Sequence, residues 1–577
     1  MSQMNTKYAI SNRPVLKLLV TLVVLLAIPA TFAATPGITG GSKTPVFNLT
    51  AQDAYLNQPD GQGVYSWGYG CNGSPSAFLP AAIANATCPT MQVPGPTLIV
   101  TEGDMVTVNL TNNLPAAAGN TSILFPGFQV MAAAASVQPA NCTANFATAA
   151  SQTPQGLLVV EAAPGCTVSY TFTASTPGTH AYYSGTQGDL QIEMGLYGAL
   201  IILPANPPAA CDSTNTNLYG QQDWATANHI PGAPEKDFRL AHAAYDHAKT
   251  CYDREYLFQW AEMDPNIHKA AVAQVTAKSG CTPGAPGCSL NIATEPYHPA
   301  YFVINGRSMP DLMDPNYAAE YPHQPYNGNP HMHPGERTLI RTIGQGRWQH
   351  PFHEHANHVR ILARDGNLIL TPDAQALAGI LMFDTDTTPG DAFDGIFYFT
   401  ARGLNWDAYG HHAPAPGTTP GTGASDPYGD TLATLPCIPD ANGYNTGNPA
   451  ALNYYEWCQD HNKPVQKAPF GDVEAGGPAT LPDPNIFTNG AWYGGTPYFG
   501  PDATLRAGNP NCASTTNANC TLLQPSNIQA NPANERGWAF MWHSHNEREI
   551  TTNNVFPGGM LMMMLVDSRE FVIDESN

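Results

Sequence analysis

Charge is thin in this sequence. Only 12% of its 577 residues are Asp, Glu, Lys or Arg, and cations are the scarcer kind, with 23 Lys and Arg against 45 Asp and Glu. A chain with formal charge −22 lacks the groups that neutralise phosphates, so nucleic acid is excluded as a partner. Few charges also argue against long helices laced with ion pairs, whereas 52 Gly and 53 Pro favour short strands joined by turns. No Cys-x-x-Cys pair occurs, which removes thioredoxin-like redox chemistry and attached haem. Beyond the first 33 residues no apolar run is long enough to cross a bilayer.

That first stretch reads as an export signal. Lys7, Arg13 and Lys17 precede an apolar run from Leu18 to Ile28, and Thr31-Phe32-Ala33 offers a small-residue cleavage site. Cleavage after Ala33 removes those three basic residues and no acidic one, taking the charge from −22 to −25. The expected location is therefore periplasmic, cell-surface or extracellular, with no membrane span left after cleavage. Twelve cysteines, an even number in an exported chain, point to disulfides. Close pairs such as Cys281/Cys288, Cys437/Cys458 and Cys512/Cys520 are plausible bridges.

The length calls for more than one core. Residues 46–204 carry short β-branched and apolar runs, at Thr97 to Val100, Met105 to Leu110, Val168 to Phe172 and Leu196 to Leu203, separated by turn residues. A connector at 205–250 leads to a second β region, 251–566, with runs at Glu255 to Trp260, Tyr301 to Asn305, Thr338 to Ile343, His358 to Ala363, Ile396 to Thr400, Gly537 to Trp542 and Gly559 to Val566. Residues 402–535 interrupt it with a Gly-, Pro-, Asn- and Thr-rich stretch holding four cysteines, read as a disulfide-pinned insertion. The fold class expected is all-β, with two Greek-key sandwiches.

Two histidine clusters stand out: His350-Pro351-Phe352-His353-Glu354-His355 and Trp542-His543-Ser544-His545. Histidines at i and i+2 on a strand share a face. Two such pairs on neighbouring strands bring four imidazoles together, a natural site for copper, zinc or iron. His331-Met332-His333 has the same spacing within a Pro/Asn turn, where exposure is expected, and His411-His412 lies in the insertion.

Around these clusters the chain resembles the multicopper oxidases. Val93-Pro94-Gly95-Pro96-Thr97, Glu102-Gly103-Asp104-Met105-Val106, Pro177-Gly178-Thr179 and Gly195-Leu196-Tyr197-Gly198 are similar to that family's first cupredoxin domain. Ile304-Asn305-Gly306, Pro334-Gly335-Glu336, Asp365-Gly366 and the terminal His543-Ser544-His545 with Gly558-Gly559-Met560 resemble its copper-binding end. The resemblance implies two cupredoxin-like domains and copper, with another transition metal as the alternative. It aligns His350 with a type 1 copper ligand, His353 with a type 2 ligand, and His355, His543 and His545 with type 3 ligands.

The departures are as specific as the matches. Leu124, Pro126, Tyr183 and Gly185 occupy four histidine positions of the first domain, Ser544 replaces the type 1 cysteine, and Glu549 replaces the second type 1 histidine. Met560 remains as a potential axial ligand. Without a thiolate the blue copper and the path that carries its electrons are lost. The resemblance then implies one or two ions held by His353, His355, His543 and His545 in a pocket facing the first domain, with Tyr183 or His180 as a further donor. Two readings follow. One is a copper-binding oxidoreductase with a reduced site and no assignable catalytic residue. The other is a non-catalytic secreted structural or metal-binding protein, toward which the residues lean.

Overall fold

The computed structural model describes residues 34–135, 142, 159–211, 236–333, 336–402, 489–490, 495–498, 537–567, 573 and 575. The expected export signal at 1–33 and nearly all of the 402–535 insertion, including His411, His412 and its four cysteines, lie outside them.

Strands dominate because apolar residues alternate. In Met105–Asn112, Val106, Val108 and Leu110 turn inward, and in the antiparallel neighbour Thr167–Thr173, Val168, Tyr170 and Phe172 do the same. These strands belong to a five-stranded sheet with Gly63–Cys71, Val46–Asn57 and Met131–Ala134. A second five-stranded sheet, ordered Ala77–Leu79, Gly37–Thr39, Leu98–Thr101, Tyr197–Leu203, Gly178–Tyr183, lies against it. Phe47, Leu49 and Val108 from one sheet share a core with Leu98, Val100 and Leu200 from the other. Each fully buried side chain of this size contributes roughly 1.5–3 kcal/mol.

The second sandwich has an eight-stranded and a six-stranded sheet. Tyr256, Phe258 and Trp260 of the former meet Phe352, Phe540 and Trp542 of the latter. The all-β expectation is met, and each strand named from the sequence has a counterpart.

Arg254–Met263 is buried along its whole length. One face feeds the second core, and the other, through Leu257, Ala261 and Met263, packs on the first sandwich. A strand covered on both sides loses its polar alternation, and here the cover is the first sandwich. Charged groups lock the same junction. Thr179 Oγ1 donates to Asp394 Oδ1 at 2.6 Å, Tyr245 donates to Oδ2 at 2.5 Å, and Arg341 joins Asp394 to Glu255. Gly306, at φ 82°, sits so close to the first sandwich that a Cβ would lie 2.1 Å from the Val93 carbonyl oxygen.

One helix, Pro265–Ala277, was not expected. Asp264 caps it by accepting from Asn266 N–H at 2.9 Å, and Pro265 opens it. It buries Ile267 and Ala271 in the first core. All eight described cysteines are paired, as Cys71–Cys88, Cys142–Cys166, Cys211–Cys251 and Cys281–Cys288.

Candidate metal centre

His350–Glu354 lies in the six-stranded sheet, antiparallel to Gly537–Ser544, with His353 directly opposite His543. His350, Phe352 and Glu354 point to the core, while Pro351 and His353 point away from it. Strand alternation thus sends His350 and His353 to opposite faces, and the next outward position brings His355 beside His353.

On the outer face, ligand nitrogens of His353, His355 and His543 lie within 4.8 Å of one another. Nε2 of His355 is 3.2 Å from Nε2 of His543. His543 donates its Nδ1–H to the Ser544 carbonyl at 2.7 Å, which leaves the Nε2 lone pair directed at the cluster. Nδ1 of His353 is buried and has no hydrogen-bond partner among the described residues. The exposed His545 ring stands 4.9 Å from that of His353. Burial, reinforced by the neighbouring imidazoles, pushes His353 down to about 4, and burial lowers His543 too. His353 and His543 are therefore neutral rings at neutral pH, the form that binds a metal. A cavity of about 450 Å³ opens beside it, edged by His358 and the half-exposed Phe383.

The cluster does not face the first sandwich as the sequence suggested. That sandwich packs on the eight-stranded sheet, whereas the histidines occupy the outer side of the six-stranded one. Among the described residues, the rings around these four histidines are one another and Phe383.

His350 is not brought to the cluster. It is fully buried, with Nδ1 2.8 Å from Glu549 Oε2 and Nε2 2.9 Å from Glu262 Oε2. Burial alone would lower it, but hydrogen bonds to Glu262 and Glu549 raise it to about 9, so it is an imidazolium at neutral pH. With both nitrogens donating, it has no lone pair for a metal. Ser544 Oγ donates to the same Glu549 oxygen at 2.5 Å. Three positions aligned with type 1 ligands thus converge, but on a carboxylate oxygen. Met560 is wholly buried in the core.

The first sandwich supplies no donor to the cluster among the described residues. Leu124 pairs through its backbone with Tyr183, and a Cβ on Gly185 would lie 2.7 Å from the Leu124 side chain. Leu124, Pro126 and Tyr183 line a cavity of about 460 Å³. His180 is held by the Thr176 carbonyl at 2.9 Å and lies edge-on to Phe128. His331 and His333 are buried, not exposed as their turn-like surroundings suggested. Of the flanking carboxyls, Glu354 points inward, where burial raises it well above the ordinary range.

Sequence reasoning missed Glu262, the second carboxylate on His350. Its position, 88 residues from that histidine, carries no local motif.

Comparison with known proteins agrees with the sequence patterns. Residues 82–144 match the family model described as multicopper oxidase. That stretch contains the Val93–Thr97 and Glu102–Val106 segments and the substituted positions Leu124 and Pro126. No curated protein matches the chain. Among solved structures, the multicopper oxidase mgLAC is 13% identical, covering 90% of this chain and 86% of its own, with a TM-score of 0.40. A blue copper oxidase from Nitrosomonas europaea is 14% identical, with coverages of 90% and 85% and a TM-score of 0.40. A copper nitrite reductase from the same organism is 19% identical, with coverages of 62% and 85% and a TM-score of 0.33. The family that this chain matches in sequence, over residues 82–144, is thus the multicopper oxidases.

Proposed function

We propose that the chain is an exported copper-binding protein that holds one ion through His353, His355 and His543, with His545 at the rim, and has given up type 1 electron entry. The observation that carries this reading is the gathering of three imidazoles within 4.8 Å. Copper suits imidazole donors, and it is the metal named in the matching family's description. When bound it would supply a centre able to take up or release single electrons. The residues do the rest. Nδ1–H of His543, held by the Ser544 carbonyl, fixes which nitrogen faces the ion, and the depressed basicity of His353 keeps protons from competing. Ser544 offers a hydroxyl where a soft thiolate is needed, and His350 has both nitrogens committed. Export rests on the signal-like first 33 residues, and the four disulfides suit an oxidising compartment.

The test is a calorimetric copper titration of the wild type and of His353→Ala/His543→Ala. Loss of tight binding in the double variant, against about one ion in the wild type, is the expected result. Equal binding by both would refute the site. The cavity beside the cluster favours a second reading, in which small molecules reach the ion and are oxidised. Oxygen consumption by the copper-loaded protein with a phenol separates the two.

A further inference from the structure

Glu549 gathers an unusual number of partners for a carboxylate with a fully buried side chain. Its Oε2 accepts from His350 Nδ1 at 2.8 Å and from Ser544 Oγ at 2.5 Å, and its Oε1 accepts from Asn546 Nδ2 at 2.9 Å. Ser544 Oγ in turn accepts the Asn546 backbone N–H at 3.1 Å. On the far side of His350, Glu262 accepts the imidazole Nε2–H. It is itself fixed by backbone N–H groups of Arg347 and Trp348 at 2.8 and 2.9 Å. The carboxylate of Glu549 is therefore tied through one rigid ring to the eight-stranded sheet.

Ser544 and Asn546 are the residues that alternate with His543 and His545. The ring of His543 meets His355 through Nε2 at 3.2 Å, and its backbone anchor is its Nδ1–H to the Ser544 carbonyl at 2.7 Å, so its pose depends on where the Ser544 carbonyl is held. The residue that carries this carbonyl is held by Ser544 N–H to the Met560 carbonyl at 3.0 Å, by His545 N–H, in the same peptide unit as the carbonyl, to the Pro351 carbonyl at 2.8 Å, and through its side chain by Ser544 Oγ to Glu549.

We propose that Glu549, acting through Ser544 and Asn546, is a positioning residue for the metal cluster, fixing the pose and tautomer of His543 and the path of the chain to His545. The inference rests on the metal-binding reading of that cluster and deepens it. The carboxylate fills the point on which His350 and Ser544 converge, and an ion triad of Glu262, His350 and Glu549 anchors the histidine strand. Partners that orient a ligating imidazole fix its tautomer and set how little freedom is lost on binding.

The experiment uses the full chain and begins without metal. Nitrogen-15 spectra of the imidazoles should show His543 as a single Nδ1–H tautomer in the wild type. Glu549→Ala should show a mixture of tautomers, and Glu549→Gln, which keeps an acceptor for Ser544, should restore the single form. Ser544→Ala leaves the His350 pair intact and should also loosen His543, so the test survives if Glu549→Ala folds poorly. Copper titrations should then show affinity about 10- to 100-fold weaker in Glu549→Ala at unchanged stoichiometry. A wild-type tautomer in both alanine variants would overturn the proposal, as would affinities within twofold of wild type. A wild type that takes up no copper would sink the metal-binding reading, while the tautomer result would still decide whether Glu549 positions His543.

Discussion

Replacing His350 with Gln tests the buried triad most directly. The folded-state value of about 9 lies above the ordinary 6.5 of an imidazole, so the folded chain keeps a proton that the unfolded chain releases. That stabilisation is whole below pH 6.5, declines between 6.5 and 9, and is gone above 9. Each pH unit of the interval is worth about 1.4 kcal/mol, so the proton contributes about 3 kcal/mol. The triad is sealed from solvent on all three side chains, so little of this is screened away. The assay is urea unfolding at pH 6.0, 7.5 and 9.5, with disulfides intact and a chelator present, followed by tryptophan emission. Trp260 stacks on His350 at 6.4 Å and reports locally. Nearby phenols stay silent, because burial and the adjacent carboxylates hold Tyr297 well above its ordinary value. The stability difference between wild type and His350→Gln should shrink by about 3 kcal/mol from pH 6.0 to 9.5. A difference that stays constant would refute a charged His350.

Copper-loaded protein should be nearly colourless, with at most a type 2 spin-resonance signal, because Ser544 provides no thiolate; an intense blue absorption band would contradict this. Asp394→Ala removes the acceptor of the Thr179 and Tyr245 hydroxyls and leaves Arg341 with Glu255 and Thr179 Oγ1. It should cost about 3–5 kcal/mol in chemical unfolding, and a loss below about 1 kcal/mol would show the junction to be held by apolar contacts. Alkylation of the native protein followed by mass spectrometry should leave all eight described cysteines unlabelled, since each is paired; labelled Cys71 or Cys211 would count against those pairs.

Strand positions were legible because a period of two needs only local residues. Val106, Val108 and Leu110 announce their strand without reference to anything distant. The His353/His355 and His543/His545 pairs were legible for the same reason, and their mutual approach followed from neighbouring strands. The face on which they lie was not. Outward and inward are told apart by the partner sheet, and the all-buried Arg254–Met263 conceals which sandwich covers which side. His350 was aligned with a type 1 ligand, and strand parity does turn it inward, three residues from His353, but alignment is blind to the two carboxylates that take both its nitrogens. Glu262 had no signal at all, since its meeting with His350 spans the fold. The helix after Asp264 did have one: an Asp-Pro start followed by alanine-rich residues, outweighed by a composition favouring strands.

Placement of the histidines on the outer side of the six-stranded sheet bears on how a metal would be loaded. The ladder pairing His353 with His543 is backbone hydrogen bonding and closes without any ion. The metal would then be the last component to arrive, entering from solvent onto a surface already shaped, with no parting of the two sandwiches. Uptake and release should accordingly run on the timescale of ligand exchange rather than unfolding, so a chaperone or chelator could load or strip the protein while its scaffold stayed intact.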